Sequence, residues 1–404
     1  MNNSIIHLDL DTFFVSVERL LDSKLANRPL LVGGLGDRGV VAACSYETRK
    51  FGVHSGMSMK VARQLCPEAF VIKGNASTYT KYSDLVTEII KSEVPVFEKA
   101  SVDEFYADLS GMDRFFGISK FAGELRNKII EESGLPISFG LSQNKIVSKI
   151  ATGEAKPNNQ KIIGIGTERS FLAPLSVRKI PMVGKKSYQK LLHLGIRYIH
   201  TVQEMPQEML ESVLGKNGKQ LWRRAHGIDH QPIIPFHERK SISMERTFNK
   251  DTIDVTRIRA TIQAMVESLA YQLRSANKLS SVITIKIRYS DYQTYSKQSK
   301  IPYTSADHVL TPKALDLFHQ LYNRRLLIRL IGVRFSGIVG GNYQINLFDD
   351  SEKMLSLYQS LDKIKNRFGE RSVLRASTIG TRTIGGMQNP FNGEPPIVLA
   401  HRKQ

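Results

Sequence analysis

The sequence predicts an α+β fold built around a split βαβ sheet, because of the order of its apolar patterns. Residues 5–11 alternate like a strand, with Ile6, Leu8 and Leu10 on one face. Apolar residues recur at helical spacing around 79–89 and 118–129. Strand-like segments lie at 96–99, 104–109 and 137–141. The order β, insertion, α, β, β, α, β is typical of a split βαβ sheet with its helices on one side.

The remaining segments predict an insertion and a second domain. A glycine-rich stretch at 33–39 joins strands at 29–32 and 40–44, and it lacks the Lys-Ser/Thr of a phosphate loop, so we expect a turn. Short helices and Gly turns begin near residue 166, and a proline-containing linker follows at 231–241. Strands at 282–289 and 327–335, with helical patterns before and between them, predict a smaller α+β domain. Four cations of these strands are expected on one exposed face: Lys286, Arg288, Arg329 and Arg334.

Composition excludes several classes of protein. With 404 residues, 41% apolar and 24% charged, the chain is neither disordered, nor collagen-like, nor a disulfide-stapled mini-protein. Its two cysteines show no metal-ligand spacing and suit a reducing compartment. No apolar run approaches the roughly 18 residues of a membrane span, and residues 1–4 show no secretory signal. We therefore expect a cytoplasmic protein without a membrane partner.

The positive charge lies in the second part of the chain. Residues 1–150 hold 18 basic and 18 acidic side chains, which leaves 57 − 18 = 39 basic and 38 − 18 = 20 acidic ones for residues 151–404. The whole net charge of +19 therefore lies after residue 150. A neutral part joined to a strongly basic part suggests chemistry in the first and binding of a polyanion such as nucleic acid in the second.

Carboxylates in two segments are candidates for a metal site. Asp9 and Asp11 lie two apart on the first strand, and Asp103 and Glu104 enter an apolar strand beside a tight turn. If the first strand lies beside this hairpin, Asp9, Asp103 and Glu104 converge. Carboxylates without clustered His or Cys favour Mg²⁺ or Mn²⁺ over zinc. With a basic surface they indicate phosphoryl transfer, and nuclease, polymerase and cyclase remain open.

Six segments, in order over about 345 residues, resemble the Y-family translesion DNA polymerases of the DinB type. They are residues 7–18 (HLDLDTFFVSVE), 46–53 (YETRKFGV), 101–104 (SVDE), 155–158 (AKPN), 181–186 (PMVGKK) and 245–248 (ERTF). The resemblance implies a right-hand polymerase with a split βαβ (ferredoxin-like) palm at 1–11 and 74–165 and small fingers at 12–73. It further implies a helical thumb at 166–230, a linker at 231–241 and an α+β little-finger domain at 242–341. Residues 342–404 would hold a clamp-binding motif and an extension that the family pattern does not explain.

The resemblance also assigns roles to residues. Asp9, Asp103 and Glu104 match the catalytic, metal-binding acids, joined by the Leu10 carbonyl, and imply two Mg²⁺ ions for which Mn²⁺ can substitute. Asp11 matches a carboxylate that is not a principal ligand, and we expect it to be a hydrogen-bonded structural acid. Phe14 matches the steric gate, a ring that leaves no space for a 2′-hydroxyl. The implied nucleotide contacts are Phe13, Phe14, Tyr46, Arg49 and Lys156.

Two further motifs imply contacts with DNA and with a protein partner. Val183, Gly184, Lys185 and Lys186 resemble a helix-hairpin-helix whose backbone N–H groups bind a phosphate without reading sequence. Residues 344–348 (QINLF) look like the motif by which bacterial polymerases bind the sliding clamp, through Gln344, Leu347 and Phe348. An amphipathic helix with Leu357, Leu361, Ile364 and Phe368 is predicted after it.

The resemblance therefore implies a monomeric DNA-directed DNA polymerase of low fidelity. It would add deoxynucleotides to a primer 3′-hydroxyl on primer–template DNA, from deoxynucleoside triphosphates, by two-metal phosphoryl transfer. Small fingers and no second acidic cluster imply translesion synthesis without proofreading, and hence mutagenesis during DNA repair. Two alternatives stay open: a UmuC-type subunit of a larger translesion complex, and a non-catalytic DNA-binding scaffold with the same fold.

Overall fold

The computed structural model describes residues 3–112, 117–341 and 351–381. These residues form two compact units, which divide between His237 and Glu238. None of the helices in these ranges is both long and apolar enough to cross a membrane. The domain limits that the sequence suggests inside each unit stay predictions.

The first unit contains a five-stranded and a three-stranded sheet. In chain order its strands are β1 (Ile5–Leu10), β2 (Leu30–Gly33), β3 (Val41–Cys44), β4 (Phe70–Ile72), β5 (Phe97–Lys99), β6 (Glu104–Asp108), β7 (Ile137–Ser142) and β8 (Gln160–Ile162). The five-stranded sheet has the order β5-β6-β1-β7-β8, and β1 is antiparallel to both of its neighbours. The smaller sheet, β3-β2-β4, lies in the segment between β1 and β5. The predicted split βαβ arrangement with an insertion is therefore present.

Eleven α-helices of the described residues belong to this unit. They are α1 (Phe13–Leu21), α2 (Tyr46–Arg49), α3 (Met59–Leu65), α4 (Ala76–Glu93), α5 (Ile118–Ser133), α6 (Lys145–Ala155), α7 (Glu168–Leu172), α8 (Lys185–His193), α9 (Ile199–Glu204), α10 (Gln207–Leu214) and α11 (Lys216–Ala225). The apolar faces of α4 and α5 pack with Ile6, Leu8 and Leu10 of β1 in one core. Helix α6 packs closely on β7 at Gly140, where there is no space for a side chain. A Cβ at this position would lie 2.2 Å from the carbonyl oxygen of Ser148 on α6. This close contact fixes the lysines of α6 beside the central strand.

The second unit is an antiparallel sheet with helices on one face. Its strands are β9 (Ser241–Thr252), β10 (Lys278–Tyr289), β11 (Thr294–Thr304) and β12 (Ile328–Gly340), in the order β11-β10-β12-β9. Helices α12 (Val255–Ser275) and α13 (Asp307–Leu321) cover one face, where Ile283, Ile285 and Ile287 join the core. The alternate residues of β10 therefore point to the face without helices.

The predicted helix after residue 350 is present as α14 (Ser351–Phe368), but most of its predicted apolar stripe is exposed. Leu357, Ile364 and Phe368 are exposed. The side that packs carries Tyr358, which is 3% exposed, and Asp362, whose two carboxylate oxygens accept from Arg274 of α12 at 2.6 and 3.0 Å. The helix pattern predicted the element correctly, whereas its packed side combines a buried tyrosine with an ion pair and is not the predicted apolar stripe.

Candidate active site

The central strand places two of the predicted metal ligands side by side. Asp9 of β1 is directly opposite Glu104 of β6 in the antiparallel register. The next residue, Leu10, donates its N–H to the carbonyl oxygen of Asp103 at 2.9 Å. Cross-strand neighbours have their Cβ atoms about 4.5–5.5 Å apart. The fold therefore brings together acids that lie almost a hundred positions apart in the sequence.

A tight turn between β5 and β6 holds Asp103. The N–H groups of Ala100 and Ser101 donate to the Glu104 carbonyl oxygen at 2.9 and 3.1 Å. The Ser101 hydroxyl donates to Asp103 and accepts the N–H groups of Asp103 and Glu104 at 3.2 and 3.0 Å. Asp103 thus lies on the turn and Glu104 begins β6, beside the tight turn that the sequence suggested.

Two lysines pair with these acids, and only Lys156 was predicted from the sequence to belong to the site. Lys156 donates to Asp9, and Lys149 of α6 donates to Glu104 at 2.6 Å. Lys149 lies seven residues before Lys156, about two helical turns, and that spacing was the available signal. In the described ranges, no three His, Cys, Asp or Glu side chains form a group that could hold a metal ion. In this arrangement Asp9 and Glu104 are each paired with a lysine instead.

Burial and neighbouring charges shift the pKa values of the three acids, and the net shift differs in direction among them. It raises the pKa of Asp9 to about 7, and the nearby charges of Glu104 and Asp103 add to the rise that Lys156 opposes. Burial also raises the pKa of Asp103. Burial acts the same way on Glu104, but His7 and Lys149 outweigh it and lower the pKa to about 2. Crowded carboxylates with raised pKa values are typical of sites that bind a cation.

The predicted gate residue stacks on a buried tyrosine. The Phe14 ring lies 4.2 Å from the Tyr79 ring at an interplanar angle of 16°. The Tyr79 hydroxyl donates to Glu18 at 2.6 Å, so this second ring is held in place. Phe13 is 3% exposed and belongs to the core, so a nucleotide would reach only its backbone at the N-terminus of α1. Tyr79 is therefore a further residue of the candidate site, and the sequence predicted it only as part of a helix.

The predicted triphosphate contacts lie on α2 and after α6. Tyr46 begins α2, and its hydroxyl donates to Asp11 at 3.1 Å. The guanidinium carbon of Arg49 lies 5.0 Å from the centre of the Tyr46 ring, and Arg49 is exposed. Lys156 follows the last residue of α6 and is bound to Asp9. The predicted hydrogen-bond donors to the triphosphate, on Tyr46, Arg49 and Lys156, therefore lie on segments next to those that carry the acids.

The predicted DNA contacts lie in both units. In the first, Gly184 precedes α8 and has no side-chain cap, while Lys185 and Lys186 are exposed on its first turn and Val183 is half-buried. Unsatisfied N–H groups at such a terminus suit a phosphate.

In the second unit, the register places three of the four predicted cations on the face without helices. Lys286 is opposite Gly332, and Arg334 is opposite Thr284, so Lys286, Arg288 and Arg334 share that face. Arg329 departs from the prediction, because a bulge between Ile328 and Leu330 breaks the alternation. Its side chain is 19% exposed and lies 3.9 Å from Asp251. Gln344, Leu347 and Phe348 lie outside the described residues.

Comparisons with known proteins agree with this architecture. The impB/mucB/samB family model matches residues 8–153, its C-terminal domain matches 239–347, and the thumb domain of DNA polymerase-iota matches 178–229. A DNA polymerase IV of Dehalococcoides mccartyi is 38% identical over 93% of this chain and 97% of its own length. One from Staphylococcus haemolyticus is 34% identical over 86% of this chain and 99% of its own length. A solved Y-family DNA polymerase chimera, Dbh-Dpo4(243-245)-Dbh, is 26% identical with a TM-score of 0.74, over 84% of this chain and 100% of its own.

Proposed function

The chain belongs to the Y-family DNA polymerases, among relatives named DNA polymerase IV, and on this basis we propose that Asp9, Asp103 and Glu104 are its catalytic acids. It is a DNA-directed DNA polymerase, and low-fidelity translesion synthesis is the activity that fits its family. Its substrates are primer–template DNA and deoxynucleoside triphosphates. The observation that carries the assignment of residues is the cross-strand pair of Asp9 and Glu104 with Asp103 on the adjoining turn.

Enzymes of this family depend on divalent metal ions, and the donor set suits a hard cation such as Mg²⁺ or Mn²⁺. Asp9, Asp103, Glu104 and the Leu10 carbonyl would hold two ions, which neutralise charge on the triphosphate and acidify the primer 3′-hydroxyl. The raised pKa values of Asp9 and Asp103 support this, because a nearby cation relieves the crowding that raises them. Lys149 would release Glu104 toward the ions.

The other residues would position the nucleotide. We propose that Phe14 excludes the 2′-hydroxyl of a ribonucleotide, since its ring is supported by Tyr79. Arg49 and Lys156 would bind the triphosphate oxygens; Tyr46 lies beside Arg49, and its hydroxyl donates to Asp11, which is 3.7 Å from the Lys156 ammonium nitrogen. Backbone N–H groups at Phe13 would add donors, because the first turn of α1 leaves them without helical partners.

Binding of DNA and of a clamp completes the proposal. Residues 183–186 would bind a backbone phosphate, and Lys286, Arg288 and Arg334 would contact DNA from the exposed face of the second sheet. Arg329 and Lys286 would contribute less, because each is close to an acid, Asp251 and Glu245 respectively. We propose that residues 344–348 bind the sliding clamp and that the polymerase works as a monomer. Its bacterial relatives favour a location in the cytoplasm, where the DNA is.

Primer extension on damaged and undamaged templates tests this function. Asp103→Asn should abolish extension with Mg²⁺ while DNA binding stays intact. The matched control is Asp108→Asn, which changes an acid at the opposite end of the same strand. Deleting residues 344–348 should spare synthesis without the clamp and remove its stimulation by the clamp. Residual synthesis by Asp103→Asn at the control's rate would overturn the assignment, and undiminished stimulation would place clamp binding elsewhere.

A further inference from the structure

A buried ring nitrogen of His7 lies unpaired beside the proposed catalytic acids. His7 is on β1, two residues before Asp9, and it is 1% exposed. Its Nε2 is one of the buried side-chain atoms of the described residues that have no hydrogen-bond partner. Leaving a buried polar atom unpaired costs free energy, because its hydrogen bonds to water are lost without replacement. Such an atom calls for a partner that another state of the site supplies.

The His7 ring is held by the two elements that pack around it. Its Nδ1 lies 2.8 Å from the hydroxyl oxygen of Thr152 on α6. Its ring centre lies 4.6 Å from the ring centre of Tyr106, which is directly opposite His7 on β6. The position of Nε2 is therefore set by the palm sheet and by α6 together.

The unpaired nitrogen lies close to Glu104. The distance from His7 Nε2 to Glu104 Oε2 is 4.0 Å, which is too long for a hydrogen bond. The same oxygen accepts the ammonium group of Lys149 at 2.6 Å. The Glu104 side chain is 27% exposed, whereas that of His7 is buried, so the carboxylate is the group that can move. A small rotation of Glu104 away from Lys149 would bring it within hydrogen-bond distance of Nε2.

The Thr152 hydroxyl decides which nitrogen of His7 carries a proton. A neutral imidazole has one N–H, and a hydroxyl has one proton to donate. The Thr152 oxygen also lies 2.9 and 3.0 Å from the carbonyl oxygens of Ser148 and His7. If Thr152 donated to one of these, Nδ1 would carry the imidazole proton, and the lone pair of Nε2 would face the Glu104 carboxylate. If Thr152 donates to Nδ1, an N–H at Nε2 faces Glu104, and this arrangement avoids the repulsion.

We propose that His7 is a positioning residue for Glu104, whose carboxylate accepts the Nε2–H of His7 when it leaves Lys149 for the metal site. The inference rests on the proposed function, because it takes Glu104 as a metal ligand. Carboxylates that bind metals are commonly oriented by hydrogen bonds from residues behind them. A neutral imidazole suits this role, since it orients the carboxylate without cancelling the negative charge that the ions need. The ammonium group of Lys149 would cancel that charge.

Nitrogen-15 NMR of the histidine-labelled full chain, without metal, tests the position of the proton. The signals that are missing from the spectrum of His7→Gln identify those of His7. We expect a proton on Nε2. A bare Nε2 would overturn the proposal, because it could not donate to Glu104.

Binding of Mn²⁺ to the complex with dideoxy-terminated primer–template and nucleotide tests the effect on the site. His7→Leu removes the N–H and should weaken Mn²⁺ binding about 10- to 100-fold. His7→Gln should restore most of the affinity, because its amide nitrogen is as many bonds from the main chain as Nε2. The control is Ile6→Val, which removes a buried methyl group from the adjacent position of β1 and should leave Mn²⁺ binding unchanged. Unchanged binding by His7→Leu, or equal losses in the Leu and Gln variants, would overturn the proposal.

Glu104→Gln separates the positioning role from the proposed function. Affinity for primer–template DNA, expected to be unchanged in every variant, checks that each one is folded. If Glu104→Gln weakens Mn²⁺ binding but His7→Leu does not, the positioning role alone fails. If Glu104→Gln binds Mn²⁺ as tightly as the unaltered chain, the assignment of the metal ligands fails.

Discussion

Replacing Phe14 with alanine should weaken the selection against ribonucleotides. The Phe14 ring stacks 4.2 Å from Tyr79, which is 2% exposed and tied by its hydroxyl to Glu18. Because the supporting ring cannot move aside, a 2′-hydroxyl pressed against Phe14 overpacks the site, at a cost of about 1–3 kcal/mol. That energy corresponds to a preference of about 5- to 150-fold for the deoxynucleotide, which alanine should abolish.

The assay compares kcat/KM for matched deoxy- and ribonucleotides on one primer–template. Thermal unfolding is measured in parallel to check that the variant is folded. Truncating a half-buried Phe should lower the free energy of unfolding by less than the roughly 3–5 kcal/mol of a fully buried one. Phe121→Leu, in the same core but on α5, is the control for a general loss of packing. A folded Phe14→Ala enzyme that discriminates between the sugars as well as the unaltered chain would refute the steric reasoning.

Three further results are expected. Lys156→Met keeps the aliphatic stem but loses the charge, so KM for the nucleotide should rise about tenfold; an unchanged KM would exclude Lys156 as a ligand. Since burial raises the pKa of Asp9 to about 7, a bound cation must displace its proton. Mg²⁺ affinity should therefore fall about tenfold per pH unit below that value, and calorimetry at pH 6 and 8 showing equal affinity would contradict this. Arg274→Met leaves Asp307 and Asp362 unpaired and should lower the stability of the second unit by about 3–5 kcal/mol in denaturant titration; a change below about 1 kcal/mol would contradict the role of this ion pair.

Local patterns in the sequence were sufficient for the elements that carry the site. The alternation in residues 5–11 predicted β1, and the acids beside a turn predicted the start of β6. The meeting of Asp9 with Glu104 required a pairing of strands, which the order of elements in a split βαβ sheet supplied. These predictions worked because periodicity and turn chemistry are local properties of the chain.

Contacts between distant polar side chains were not predictable in the same way. Lys149 reaches Glu104 only because α6 packs on the central sheet, and its spacing from Lys156 alone does not indicate which acid it meets. Arg329 was misplaced because a bulge has no apolar signature in the strand. Helix α14 shows the same limit, since its exposed apolar stripe gave no hint of the ion pair between Arg274 and Asp362. Each of these depends on the geometry of a second element.

Counting bound metal ions tests the central assignment most directly. Mn²⁺ is titrated by electron paramagnetic resonance into the complex of polymerase, dideoxy-terminated primer–template and incoming nucleotide, for the unaltered chain, Glu104→Gln and Asp108→Asn. A metal site formed by Asp9, Asp103 and Glu104 predicts two bound ions for the unaltered chain and for Asp108→Asn. For Glu104→Gln it predicts fewer bound ions or weaker binding. An unchanged number and affinity of ions in Glu104→Gln would contradict it.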